Sequence, residues 1–117
     1  MFNNLLLVGL GGGLGSILRY LVQRNVNGIY PYGTFLVNVA GCLLIGMLWG
    51  LTLKGFDEQK RLLLATGFCG GFTTFSAFSQ ESIQMISESR WLSFAIYTGG
   101  SIIAGLLATI IGFKMMN

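Results

Sequence analysis

Four long apolar stretches, separated by short polar segments, follow one another along the chain. They cover residues 5–22, 34–53, 62–87 and 91–113. A helix of about 20 mostly apolar residues spans the hydrocarbon core of a bilayer, so the pattern predicts an all-α membrane protein with four transmembrane helices. The segments between the stretches are too short for a further domain, and we expect a single four-helix domain over residues 1–117.

The composition agrees with helices that face lipid. Hydrophobic residues make up 53% of the 117 residues and charged residues 9%, whereas a typical soluble domain has about 25% charged residues. The mean hydropathy is +0.71. So few charges cannot cover the surface of a soluble domain, and we expect lipid around it. No Lys or Arg precedes the first stretch, which argues against a cleaved signal peptide.

Lys and Arg residues are shared almost evenly between the two sides of the predicted membrane domain. An excess of these residues normally selects the cytoplasmic side. The even distribution therefore favours insertion in both orientations, and with it an antiparallel two-fold homodimer. The alternative is a single orientation that the positions of the charges determine. The side with both termini has Lys54, Lys60, Arg61 and Lys114, and the other side has Arg19, Arg24 and Arg90.

The third apolar stretch is interrupted near its centre, at residues 67–76. Gly70 and Gly71 loosen a helical backbone, and the β-branched residues Thr73 and Thr74 disfavour a helix further. An unwound turn at membrane depth is tolerated only where protein buries it or where it lines a cavity. Its free backbone groups can hold ions. The pattern predicts a broken third helix, and an intact helix that tolerates its glycines is the alternative.

Phenylalanines recur every three residues beside this interruption, at Phe72, Phe75 and Phe78. The usual role of such a stripe is packing or contact with lipid. The alternative is that the electropositive ring edges of Phe75 and Phe78 face an anion.

Hydroxyl groups follow one face of the fourth predicted helix. Tyr97, Ser101 and Thr109 are spaced at i, i+4 and i+12, and Gly105 takes the i+8 position. We call this face the hydroxyl row. Such hydroxyls can simply bond the carbonyl four residues earlier, but a repeated row also offers a ladder of donors along the membrane normal. Asn38, in the second stretch, adds an amide donor.

Few ionisable groups lie within the apolar stretches. Arg19 either extends toward the interface or raises the anion concentration at a pore mouth, and Glu81 is an acid without an assigned role. Histidine is absent, so the commonest general base is missing and no enzymatic activity is expected. Cys42 and Cys69 form no CxxC motif, and we expect small buried residues rather than metal ligands or a disulfide. This interior, rich in donors and poor in carboxylates, suits an anion.

Three segments resemble the Fluc (CrcB-type) fluoride channels, and the resemblance extends over essentially the whole chain. The most specific is GFCGGFTTFSAFSQE at 67–81, which resembles the signature of the family's third helix. Ser16, Leu43 and Ala77 depart mildly from the residues that are common in the family. The other two segments are Gly11-Gly12 with Gly15-Ser16 and Arg19-Tyr20, and Gly33-Thr34 with Val37-Asn38, Gly41 and Gly46.

The resemblance implies an antiparallel, dual-topology homodimer with two fluoride pathways and a structural sodium ion at its centre. Backbone carbonyls of Gly70 and Thr73 from both subunits would hold the sodium. Arg19 would lie in the vestibule, and Gly105 takes the place of a serine found in some relatives. The fluoride pathway would be lined by Asn38, Thr74, Phe75, Ser76, Phe78, Tyr97, Ser101 and Thr109.

A passive fluoride channel in the bacterial inner (plasma) membrane is the function that the resemblance implies. Cytoplasmic fluoride would leave the cell through it, which lowers fluoride toxicity. The expected partners are fluoride, sodium, the lipid bilayer and a second copy of the chain, with no nucleic acid. One alternative, a proton-coupled small multidrug exporter, needs a carboxylate in its first span, and residues 5–22 contain none. The other is a membrane protein with only a structural or accessory role.

Overall fold

The computed structural model describes every residue from Met1 to Asn117 and consists of helices joined by short turns. Four helical spans are long and apolar enough to cross a membrane, which confirms the four predicted helices. The molecule extends 47 Å along its longest axis, close to the thickness of about 40–45 Å of a bilayer with its headgroups. The spans are Phe2–Val26, Tyr32–Leu53, Glu58–Ser87 and Trp91–Met116.

The first, second and fourth spans are uninterrupted helices. They are α1 (Phe2–Val26), α2 (Tyr32–Leu53) and α6 (Trp91–Met116). The apolar pattern placed the end of the first span at residue 22, whereas α1 continues through the polar residues Gln23 and Arg24. Pro31 directly precedes α2, a position where the missing N–H of proline costs no helical hydrogen bond.

The third span is interrupted between Phe72 and Phe75. Thr73 has φ −86° and ψ 157°, and Thr74 has φ −147° and ψ 117°, so both residues are extended. The interruption lies within the predicted range 67–76, but Gly70 and Gly71 themselves remain helical. The parts of the span are α3 (Glu58–Arg61), a π-helical segment (Leu62–Cys69), α4 (Gly70–Phe72) and α5 (Phe75–Ser87).

The helices pack mainly in two pairs, through small residues. α2 packs along α6, and α1 packs against the π-helical segment and α4. A Cβ at Gly46 would collide with the Thr109 carbonyl, and one at Gly15 with the Phe68 carbonyl. Small residues at these positions let the backbones of neighbouring helices approach closely.

In α6, the small residues that pack lie on the side that faces α2. A Cβ at Gly100 would meet open space, so Gly100 does not belong to this packed face. The buried small residues of α6 are Gly105, Ala108 and Gly112, because this is the side that α2 approaches.

Large apolar side chains cover the outside of the molecule. Only 18 of the 117 residues are buried within the chain, and most of the long aliphatic side chains are exposed. A surface of this kind fits lipid or a second protein chain rather than water. Among the exposed side chains are Leu5, Leu10, Leu14, Ile17, Leu36, Leu92, Ile103, Leu106 and Ile110.

Candidate functional site

A cavity of about 430 Å³ lies beside the interruption of the third span, where α2 and α6 face it. We call it the central cavity. It brings together most of the residues that the sequence predicted for the site, from three helical spans. These are Asn38, Gly70, Thr73, Thr74, Phe75, Phe78 and Ser101.

Asn38 holds the interruption in place. Its Nδ2 donates to the Thr74 carbonyl at 3.1 Å, and its Oδ1 accepts from the Thr74 N–H at 2.7 Å. The extended residue therefore has backbone partners although it is outside the helix, as buried backbone groups require. Asn38, expected as a pathway donor, thus has a structural role as well, and one N–H of its amide makes no bond within the chain.

Threonine hydroxyls form hydrogen bonds with backbone groups at both helix ends that border the interruption. Thr73 Oγ1 donates to the Cys69 carbonyl at 2.8 Å. Thr74 Oγ1 accepts from the Ala77 N–H at 3.1 Å and caps the start of α5. Ser76 Oγ lies 3.2 Å from Thr74 Oγ1. Thr74 and Ser76, predicted as pathway residues, are therefore neighbours at this cap.

Backbone carbonyls at the interruption, including those of Gly70 and Thr73, receive no hydrogen bond. The Thr74 N–H, which would bond Gly70 in a helix, goes to Asn38. The Ala77 N–H, which would bond Thr73, goes to the Thr74 hydroxyl. The carbonyls of Gly70 and Thr73 thus have no donor within the chain. Free carbonyl oxygens of this kind are suitable ligands for sodium, so the donor set fits the expected ion.

Arg19 reaches the third span from α1. Its Nε donates to the Gly71 carbonyl at 2.9 Å, and its Nη1 donates to Gln23 Oε1 at 3.2 Å. The side chain is therefore held against the interrupted span rather than extended away from the protein. It contacts α4 and does not line the central cavity.

The two predicted phenylalanines differ in exposure. Phe75 is 78% exposed in the single chain, whereas Phe78 is half-buried beside Tyr97, with ring centroids 5.2 Å apart. The centroids of Phe75 and Phe78 are 5.7 Å apart. Phe72 lies elsewhere and stacks on Phe68. The structure therefore groups Phe75 with Phe78 at the cavity and separates Phe72 from them.

The three hydroxyl groups of the hydroxyl row lie in three different surroundings. The Tyr97 hydroxyl is committed to Glu81, and Thr109 Oγ1 donates to the Gly105 carbonyl of its own helix at 3.0 Å. Ser101 Oγ is buried without any partner and lines the central cavity. Thr109 lines a second cavity of about 610 Å³. The two cavities share Ile45 and Ala65, so they are adjacent.

Glu81 is the centre of a hydrogen-bonded cluster that the sequence did not reveal. Its Oε1 accepts from the Tyr97 hydroxyl at 2.9 Å. Its Oε2 accepts from Thr34 Oγ1 at 2.9 Å and from Asn27 Nδ2 at 3.1 Å. Gln23 Nε2 also donates to the Thr34 hydroxyl, at 3.0 Å. In the sequence, the only sign of this cluster is a lone acid in an apolar stretch. Such an acid needs polar partners, but the sequence does not identify them.

Both cysteines are free thiols in the neighbourhood of the central cavity. Cys42 is half-buried, Cys69 is buried, and each lines the cavity. No group of three or more His, Cys, Asp or Glu residues is placed to hold a metal. A metal cation at this site would therefore be bound by backbone carbonyls, hydroxyls or amides.

The sequence matches a known family over nearly its full length. The model of the family described as CrcB-like protein, Camphor Resistance (CrcB), matches residues 6–113. A protein of Phocaeicola vulgatus named fluoride-specific ion channel FluC is 45% identical, with 96% of this chain and 97% of the relative covered. A relative of the same name from Nitratidesulfovibrio vulgaris is also 45% identical, with 92% of each chain covered.

A further relative, fluoride-specific ion channel FluC 2 of Rhodococcus jostii, is 48% identical, with 96% of this chain and 97% of the relative covered. These names denote ion channels, which transport rather than transform their substrates, and they confirm the prediction of a non-enzyme. With the match over residues 6–113 and this identity across both chains, the protein belongs to the CrcB-like family.

Proposed function

We propose that this protein is a fluoride-selective passive channel that lets cytoplasmic fluoride leave the cell and so lowers its toxicity. The observation that carries the proposal is the central cavity, where donors and aromatic rings from three spans meet at the interrupted helix. The names of the relatives point to the same ion. Since a passive channel follows the electrochemical gradient, no residue for energy coupling is required.

The chemistry of the central cavity favours a small anion. Fluoride is strongly hydrated, and a selective path has to replace its water with closely spaced donors. Ser101 Oγ is unpartnered and Asn38 keeps one free N–H, while Phe75 and Phe78 can present positive ring edges. No carboxylate lines the cavity. Such a set can bind fluoride without the fixed positive charge that would retain it.

The full pathway would continue from the central cavity along the hydroxyl row. Thr109 in the adjacent cavity would extend it at one end and Tyr97 at the other, with Arg19 in a vestibule that attracts anions. The lining residues in this proposal are Asn38, Thr74, Phe75, Ser76, Phe78, Tyr97, Ser101 and Thr109.

A structural sodium ion at the free carbonyls of Gly70 and Thr73 is the second part of the proposal. Two carbonyls of one chain cannot surround a cation, so a second copy of the chain would complete the set. Gly70 is exposed in the single chain and has no atom within 4 Å of its Cβ position. This surface is therefore open to the partner of an antiparallel homodimer, which would contain two fluoride pathways.

Residence in the bacterial inner membrane follows from the proposed role. Hydrogen fluoride that forms in acid surroundings crosses a bilayer uncharged and dissociates in the cytoplasm. A multi-pass channel in that membrane then gives the anion a way out.

Purified protein in liposomes loaded with potassium fluoride provides the test. Fluoride efflux alone would build up a membrane potential that opposes it. Once an ionophore lets potassium leave as well, a fluoride electrode should record rapid release, while chloride-loaded liposomes should release little. Equal release of both anions would contradict selectivity. No release from correctly reconstituted protein would instead favour the structural or accessory role.

A further inference from the structure

The hydroxyl row on α6 has a gap at Gly105. Ser101 and Thr109 are eight residues apart, which corresponds to about 12 Å along a helix. Thr109 Oγ1 donates to the Gly105 carbonyl, so its hydrogen is not directed into the gap. If the row guides an ion, a donor at the level of Gly105 has to come from a neighbouring helix.

Cys42 of α2 fills the space beside this gap. A Cβ added at Gly105 would lie 3.3 Å from Cys42 Sγ, which is the only atom of another helix within 4 Å of it. Gly105 is buried, whereas Cys42 is half-buried and lines the central cavity. The thiol therefore contacts the position that a Cβ at residue 105 would take, and Cys42 also lines the cavity.

The groups around Cys42 mark this part of the cavity as a place for a ligand. Ser101 Oγ is the only buried side-chain nitrogen or oxygen without a hydrogen-bond partner. A buried hydroxyl is costly to leave unpaired, so an ion or its water is expected beside it. Asn38, one turn before Cys42 on α2, lines the same cavity.

We propose that the Cys42 thiol lines the fluoride pathway and supplies the donor that Gly105 lacks. The inference rests on the proposed fluoride function and adds to it a residue on α2 outside the hydroxyl row. A thiol is a weak donor, so it would pass an ion between Ser101 and Thr109 without holding it strongly.

Moving the donor from α2 to α6 tests this assignment in liposomes. Cys42→Ala removes the donor, and fluoride release should fall about tenfold, while Cys42→Ser should retain most of it. The double variant Cys42→Ala with Gly105→Ser should recover release. It places a hydroxyl on α6, and the loss of Sγ makes room for the new Cβ.

A matched control places the serine on α6 where it cannot reach the gap. A Cβ at Gly99 meets no atom within 4 Å, so Cys42→Ala with Gly99→Ser should assemble and remain slow. Release at the wild-type rate from Cys42→Ala would overturn the proposal. Equal losses from Cys42→Ser and Cys42→Ala would also overturn it, because packing around sulfur would then be the cause.

Chemical modification keeps the proposal testable if the substituted chains fail to assemble. A methanethiosulfonate reagent transfers its thioalkyl group to Cys42. The new S–S bond forms as the reagent's S–S bond breaks, methanesulfinate leaves, and the thiol proton passes to water. The Cys69 thiol is only 4% exposed, so the wild-type protein can be used, and mass spectrometry would verify that Cys42 alone is modified. This adduct should block release, and fluoride at high concentration should slow the modification. Full modification with unchanged release would overturn the proposal.

The result for unmodified wild-type protein distinguishes a failure of the proposed fluoride function from a failure of the proposed role of Cys42. If wild-type liposomes release no fluoride, the proposed function fails. If they release fluoride and the Cys42 variants and adduct leave the rate unchanged, only the role of Cys42 fails.

Discussion

Asn38 determines where the third span unwinds. Its amide bonds both backbone groups of Thr74, one at 2.7 Å and one at 3.1 Å. These bonds replace those that Thr74 would make in a continuous helix, so the extended conformation leaves no backbone group of this residue unpaired. The same side chain also faces the central cavity. One residue therefore links the shape of the span to the proposed pathway.

Replacing Phe75 or Phe78 with isoleucine tests whether the aromatic ring itself or only the bulk of the side chain matters for transport. The change roughly conserves bulk and should cost under about 1.5 kcal/mol of stability. If the ring edges contact fluoride, release from liposomes should fall roughly tenfold or more, which corresponds to about 1.4 kcal/mol on the barrier. Size-exclusion chromatography would establish that the variants still assemble.

Phe72 is the matched control for these two phenylalanines. It belongs to the same stripe in the sequence, but its ring stacks on Phe68, with centroids 5.5 Å apart, and does not line the central cavity. Phe72→Ile should therefore conduct much better than the other two variants. If Phe75→Ile and Phe78→Ile both release fluoride at the wild-type rate, the aromatic ring edges have no role in the mechanism.

The Glu81 cluster should contribute to stability. Tyr97→Phe removes the hydroxyl that donates to Glu81 Oε1 and leaves the ring in place. Hydrogen bonds between transmembrane helices contribute about 0.6–2 kcal/mol. We expect a lower midpoint of thermal unfolding in detergent.

Tyr20 provides the comparison for this substitution. Its side chain is 58% exposed, so Tyr20→Phe should leave the midpoint unchanged. An unchanged midpoint for Tyr97→Phe as well would mean that the carboxylate finds another donor.

At the scale of the helix, the interruption was predictable but its exact residues were not. Adjacent glycines and threonines in an apolar stretch indicate a weak helix, and that signal is local. Gly70 and Gly71 nevertheless stay helical and Thr73 and Thr74 unwind. The reason is that the side chain of Asn38, in another span, bonds both backbone groups of Thr74. Such a partner cannot be identified from the pattern of one segment.

The free carbonyls at this interruption predict a bound cation. Because the Gly70 and Thr73 carbonyls lack donors, sodium should stabilise the assembled protein. Replacing sodium with N-methylglucamine, a cation too large for the site, should lower the thermal midpoint in detergent, and potassium should substitute incompletely. A midpoint that is the same in all three buffers would contradict a structural sodium ion.

For the whole molecule, the sequence predicted the spans and most of the polar residues of the central cavity, but not the polar cluster around Glu81. Apolar length identifies each helix, and costly intramembrane polar groups such as Asn38 and Ser101 mark the cavity. The partners of Glu81, in contrast, lie on three separate segments of the chain. Only the packing of α2 and α6 against α5 reveals that Asn27, Thr34 and Tyr97 converge on it.

The near-even distribution of basic residues predicts that the chain inserts in both orientations. Four Lys and Arg residues are on the side of the termini and three on the other, so a small added charge should decide the outcome. Two lysines appended after Asn117 should place the termini of nearly all copies in the cytoplasm. Labelling of a terminal cysteine from each side of the membrane would measure this.

A chain fixed in this way should have no function as an antiparallel dimer, because every partner would have the same orientation. Cells that lack their own fluoride export and express only this form should remain sensitive to fluoride. Coexpression with a second form should restore resistance, if that form is biased in the opposite direction by lysines in the loop at Glu88–Arg90. The free carbonyls of Gly70 from two opposed copies would then meet again at one axis. Full resistance from the single biased form would show that a parallel assembly or a single chain conducts, and the antiparallel arrangement would have to be abandoned.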